Sequence, residues 1–159
     1  MLVFKHTRNN RLKFQYGDNI VPSYKSHDKI NLACLIILVI AAIHYKINFV
    51  TLIIFTLSFL FGSRYLSPDI DVDSRIYRRW GLLRFFWKPY KDLFKHRGIS
   101  HNLILGPVTL IGYLAGLIFI CLYLAGVPLQ FDVRMGVIAA GMVAAIELHI
   151  LADMFLSKK

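Results

Sequence analysis

The sequence predicts an all-α protein, a four-transmembrane-helix bundle with a cytoplasmic basic and aromatic interfacial segment. Three observations predict it. Hydrophobic residues make up 57% of the 159 positions and charged ones only 18%, against about 25% in a soluble domain. The mean hydropathy is +0.55. The charge is also segregated: a net +10 is concentrated between long stretches that carry almost none. A soluble bundle would need a polar face on every helix, and the last two apolar stretches lack one.

Residues 1–24 are basic and irregular, and nothing in them reads as a signal peptide, because Met1 to Phe4 is too short for an apolar core. Residues 25–159 form one membrane-embedded domain. Its first span lies near 30–43 and its second near 49–61, joined only by His44 to Asn48, so the pair forms a tight helical hairpin. Both are short of the about 17–25 residues a span needs unless Lys29, His44 and Gly62 lie at the interfaces. The third span, near 103–127, and the fourth, near 135–156, meet that length. Basic residues crowd the segment before the first span, the central segment and the Lys158–Lys159 tail, while the two short connections hold only Lys46 and Arg134. The positive-inside rule then places both termini and the central segment in the cytoplasm.

The central segment alternates basic and aromatic residues through Tyr77, Arg78, Arg79, Trp80, Arg84, Phe85, Phe86, Trp87, Lys88 and Tyr90. Aromatics interleaved with arginine can stack nucleic-acid bases. Beside transmembrane spans the cheaper reading is contact with membrane lipid, since Trp and Tyr favour headgroup depth and Lys and Arg attract anionic lipid. A nucleic-acid partner is not expected. Cys34 and Cys121 lie inside spans and read as small apolar residues. Gly112 and Gly116 permit close helix packing, within one chain or between chains.

The residues able to do chemistry fall in four places, each toward the cytoplasmic end of a different helix. His27 and Asp28 precede the first span, and Asp69, Asp71 and Asp73 follow the second. His96 and His101 precede the third, and Glu147, His149 and Asp153 lie late in the fourth. Helices packed as a bundle bring such ends together, and facing helices are where a bundle holds metal. His149 and Asp153, four apart, share a helix face; ionisable residues inside a membrane segment mark function, although a hydrogen-bonded pair is the plain alternative. Glu147 points elsewhere on that helix. Pro68 opens a run in which alternation, if extended, puts Asp69, Asp71 and Asp73 on one side; a turn or capping aspartate is the alternative there. Ser100 is a natural N-cap for the third span, and Arg97 is suited to a phosphate. His6 and His44 look incidental.

These strings resemble an uncharacterised family of predicted metal-binding prokaryotic membrane proteins. They are Ser26-His27-Asp28-Lys29-Ile30, Ser67-Pro68-Asp69-Ile70-Asp71, Tyr77 to Arg84, and His96-Arg97-Gly98-Ile99-Ser100-His101. The set is similar to the YdjM-like membrane-bound metal-dependent hydrolases, through Pro68 to Asp71, His96 to His101 with Ser100 in place of Thr, and His149 to Asp153. It departs at Asn102, where a small Gly or Ser is usual. The order of His and Asp elements is distantly similar to zinc-dependent phospholipase C, an analogy of fold alone.

The resulting expectation is a metal-dependent hydrolase of a phosphoester or lipid-like substrate at the cytoplasmic surface of a prokaryotic membrane. His27, Asp69, Asp71, His96, His101, His149 and Asp153 would hold one to three divalent ions, zinc being favoured by mixed His and Asp. Asp69 or Asp71 would accept a proton from an activated water, and Arg97 would neutralise phosphate. The alternative is a structural metal site with a basic segment that binds a partner, lipid or nucleic acid. Metal transport is weaker, because the outer halves of the spans lack ionisable residues.

Overall fold

The computed structural model describes residues 24–94 and 99–156. The basic N-terminal segment to residue 23, the 95–98 stretch with His96 and Arg97, and the lysine tail lie outside the described residues. The described residues are helical or irregular, without strands. Four helices are long and apolar enough to cross a membrane: α1 (Tyr24–His44), α2 (Phe49–Tyr65), α5 (Leu105–Leu124) and α6 (Val133–Leu156). Two short helices, α3 (Arg75–Arg79) and α4 (Lys88–Leu93), lie between α2 and α5.

The first two helices exceed their apolar stretches. Helix α1 begins at Tyr24, before the apolar run at Ile30, so His27 belongs to the helix. Helix α2 runs to Tyr65, starting at Asn48, whose side chain accepts the backbone N–H groups of Val50 and Thr51. Apolar composition sets what the membrane tolerates; helix length is set by where backbone groups find other partners. At the far end of α2, Arg79 donates to the carbonyl of Arg64 at 2.9 Å and Trp80 Nε1 to that of Tyr65 at 3.0 Å. Two residues of the basic and aromatic segment thus close a helix terminus.

Helix α5 is shorter than its apolar run, and its start corrects the expected cap. The Ser100 hydroxyl is engaged with Asp71, 2.6 Å away. Asn102 does the capping instead, its side-chain oxygen accepting from Ile104 N–H at 2.9 Å and Leu105 N–H at 3.1 Å. Asn102 therefore closes the start of α5. Asn102→Ala is expected to cost about 1 kcal/mol, the usual worth of such a cap, read as a lowered unfolding temperature in detergent.

The bundle is organised around α6, which packs most extensively on α2 and also meets α1 and α5. The α2–α6 approach is close because glycines face it. A Cβ on Gly141 would overlap the Ser58 hydroxyl and lie 2.8 Å from the Phe55 carbonyl oxygen. A Cβ on Gly62 would lie 3.0 Å from Met142 Cα. Gly112 and Gly116 meet nothing within 4 Å among the described residues. One buried cluster joins Phe59 of α2, Leu35 of α1 and Ala145 of α6. A second joins Leu66, Ile70, Trp87, Tyr90, Leu110, Ile146 and Ile150.

That second cluster revises the interfacial segment. Trp87 and Tyr90 are core residues with almost no exposed surface, and Trp80 packs against them. The exposed apolar residues there are Leu82, Leu83, Phe85, Phe86 and Leu93. The aromatics fold the segment back onto the bundle, because their buried area is worth more inside the core than at its rim.

Candidate metal centre

Helix positions and two short turns bring imidazoles and carboxylates to one end of the bundle. His27 lies in the first turns of α1, and His149 and Asp153 lie one turn apart on α6. Asp69 sits in a 3-10 turn, Pro68–Asp71, directly after α2, and His101 in another, Ile99–His101, directly before α5. A Cβ on Gly106 would collide with the Ser100 carbonyl, so only glycine lets this second turn lie against α5.

Asp153 is central. Its Oδ1 is 3.2 Å from His27 Nε2, and its Oδ2 is 3.5 Å from His149 Nε2 and 3.6 Å from His101 Nε2. Asp69 faces it from the other side, with Oδ2 at 3.4 Å from His149 Nε2 and Oδ1 at 3.6 Å from His101 Nε2. The His27 and His149 rings lie with centroids 4.5 Å apart, tilted by 30°. Two sets of three ligand atoms are close enough to share an ion: His27, His149 and Asp153, and Asp69, His101 and Asp153. Asp153 belongs to both.

The donor set fits a divalent cation. Tetrahedral nitrogen and oxygen ligands at about 2.0–2.1 Å from an ion stand roughly 3.3–3.4 Å from one another. The cross-pairs here span 3.2–3.6 Å, longer than most N–H···O hydrogen bonds, which centre near 2.9–3.0 Å. His27 and His149 are buried, whereas the Asp69 and Asp153 side chains are 34% and 28% exposed. The cluster is walled by imidazoles on its bundle side and reached by solvent along its carboxylates.

The 3-10 turn decides what each aspartate does, and it overturns the extended alternation. Pro68 fixes its own φ and starts the turn, and Ser67 caps it. At about three residues per turn, positions two apart diverge. Asp69 faces the imidazoles, while Asp71 is buried and accepts the Ser100 hydroxyl. That hydroxyl is also 3.3 Å from His101 Nδ1, so Asp71 bears on the cluster through Ser100 and His101 and lies outside both ligand sets. Asp73 turns to solvent and pairs with Arg78 at 3.1 Å, which lowers its pKa through that hydrogen bond.

Of the remaining expected residues, His96 and Arg97 lie outside the described residues. His44 and Asp28 are exposed. Glu147 lines a groove between α1 and α6 with Cys34, Ile37 and Leu38, away from the cluster. Sequence reading missed Ser67, whose hydroxyl is 3.1 Å from His149 Nε2. Its place ahead of Pro-Asp, an N-cap signal, was the available clue.

Burial opposes the charge on His101, but the Asp153 and Asp69 carboxylates, each 3.6 Å from Nε2, outweigh it and push its pKa up to about 9. A raised folded-state pKa means that His101 stabilises the metal-free protein fully below its ordinary value of 6.5 and loses that contribution as pH rises through about 9. A cation needs the neutral imidazole, so ion and proton compete. Loading at pH 7.5 is expected to release a proton from His101, with affinity rising with pH up to about 9. Calorimetry in buffers of different ionisation enthalpy checks this; proton release that does not diminish above pH 9 would contradict it.

Residues 22–139 match the family described as uncharacterized metal-binding protein (DUF2227). A protein of Aquifex aeolicus (strain VF5), described as an uncharacterized protein, is 40% identical over 61 residues, 38% of this chain and 43% of the relative. The match thus spans less than half the length of that relative. No solved structure matches.

Proposed function

Since the chain belongs to the family of uncharacterized metal-binding proteins (DUF2227), we propose that His27, Asp69, His101, His149 and Asp153 form its metal centre, holding one or two divalent cations. The observation that carries this is Asp153, which presents its two oxygens to three imidazoles from α1, α6 and the turn before α5. Imidazole with carboxylate suits zinc. The excess of Lys and Arg beside these helix ends, against Lys46 and Arg134 in the opposite connections, orients the centre toward the cytoplasm of a prokaryotic cell. Leu82, Leu83 and Phe85, exposed beside Arg84 and Lys88, would rest on lipid headgroups.

The centre acts as a metal-dependent hydrolase on a phosphoester or lipid-like substrate. Support comes from the solvent-reached side of the cluster, since catalytic sites keep an open ligand position and structural sites are closed. Similarity of the Pro68–Asp71, His96–His101 and His149–Asp153 elements to YdjM-like hydrolases points the same way. A bound divalent cation supplies Lewis acidity toward a phosphoryl oxygen. Asp69, the more exposed carboxylate, accepts the proton of the attacking water. Asp71 acts from behind, holding Ser100 against His101, and Arg97 neutralises the phosphate.

A second reading is a structural clamp. Its support is the origin of the ligands in four separate segments, with His27 and His149 buried, so two ions sharing Asp153 would tie together the ends of the bundle. Zinc-loaded protein in detergent, assayed on an aryl phosphodiester and on phospholipid vesicles beside Asp69→Asn, separates the two. Turnover lost in the variant supports the hydrolase. No turnover, with an unfolding temperature that drops on chelation, supports the clamp.

A further inference from the structure

Among the described residues, two buried polar atoms beside the cluster have no hydrogen-bond partner: His27 Nδ1 and Asn31 Oδ1. His27 is 7% exposed and Asn31 only 4%. They stand four residues apart on α1, and helical side chains lean toward the N-terminus, so the Asn31 amide leans over the turn that carries His27. A buried polar atom left unmet is costly, the more so in a membrane segment where no bulk water relieves it. Asn31 lies in an otherwise apolar run from Ile30 to Ile43, where a leucine would bury without that cost.

The protonation of one ring links the two atoms. Neutral imidazole carries a single N–H. With the proton on Nε2, His27 donates to Asp153 Oδ1, 3.2 Å away, and its bare Nδ1 has no N–H to offer the Asn31 Oδ1 acceptor. With the proton on Nδ1, the ring offers Asn31 Oδ1 a donor and leaves Nε2 with a lone pair directed at the cluster. Metal-ligating histidines almost always donate their other N–H to such a partner.

Resting on the metal-centre reading, we infer that Asn31 is a positioning residue, its side-chain carbonyl accepting the Nδ1–H of His27 and so fixing the tautomer whose Nε2 binds the cation. The unpaired atoms are then the metal-free face of an interaction completed on loading.

The test titrates zinc alone into the metal-free full chain in detergent, for wild type, Asn31→Leu and Asn31→Asp, with nitrogen-15 spectra of the histidine rings. Asn31→Leu is expected to weaken zinc binding about 10- to 100-fold, the usual effect of losing a ligand's hydrogen-bond partner, and to shift the His27 Nδ1 resonance. Asn31→Asp keeps an acceptor in place and should bind within a few-fold of wild type. Asn31→Leu binding like wild type, with unchanged ring signals, overturns the assignment while leaving the metal centre standing. Asn31→Asp losing affinity as far as Asn31→Leu also overturns it, because Asn31 would then matter for packing alone. If Asn31→Leu fails to fold, the aspartate variant decides. Wild-type protein that binds no zinc removes the metal-centre reading and this inference together.

Discussion

Asp153→Ala is expected to empty the metal centre. Both oxygens of Asp153 are engaged, Oδ1 with His27 and Oδ2 with His101 and His149. Removing it takes a ligand from both possible sets at once and leaves three imidazoles without their shared counter-charge. Losing a mere partner of a ligand already costs about 10- to 100-fold in affinity, so loss of this shared ligand should exceed about 100-fold. Asp71→Ala is the graded comparison, because Asp71 reaches His101 only through the Ser100 hydroxyl. It should weaken binding within that 10- to 100-fold range and retain metal at high supply. Metal content by mass spectrometry on detergent-purified protein reads both, with His101→Ala combined with Asp153→Ala as the fully depleted control. Wild-type metal content in Asp153→Ala would sink the shared centre.

Gly141→Ala is expected to disturb the bundle far more than Gly112→Ala or Gly116→Ala. Its Cβ would overlap the Ser58 hydroxyl and press on the backbone at Phe55 and Phe59, the latter with N at 3.0 Å. Two of those neighbours are main chain, so the helices themselves must separate. Overpacking of this kind costs about 1–3 kcal/mol, occasionally more. Helix α6 carries His149 and Asp153, and α2 leads into the turn that holds Asp69, so metal affinity should fall with stability. Gly112→Ala and Gly116→Ala meet open space and should stay within about 0.5 kcal/mol of wild type. Unfolding in detergent micelles by heat or denaturing surfactant compares the three. Equal stability of Gly141→Ala and Gly112→Ala would contradict the close α2–α6 approach.

Much of the His and Asp cluster was legible in the sequence, because its parts are local. A run of apolar residues near bilayer length is a property of composition, and the four helices follow from it. His149 and Asp153 share a face because they are one helical turn apart, whatever surrounds them. The distribution of Lys and Arg between connections predicts that the four helix ends share one side; their convergence is set by packing. What stayed hidden depended on partners remote in the chain. The sequence of Pro68 to Asp73 allows an extended strand or a tight turn, and the two assign the aspartates differently. The choice rests on Ser67 and Pro68 together with Ser100, which bonds Asp71 across 29 positions. The aromatic segment has the composition of a headgroup belt, yet Arg79 and Trp80 cap α2 and Trp87 and Tyr90 fill the core. Among the glycines, Gly112 and Gly116 have the motif spacing, while Gly62 and Gly141 have the contact. Spacing along one helix fixes which residues share a face; only the packing of a second helix decides what that face meets.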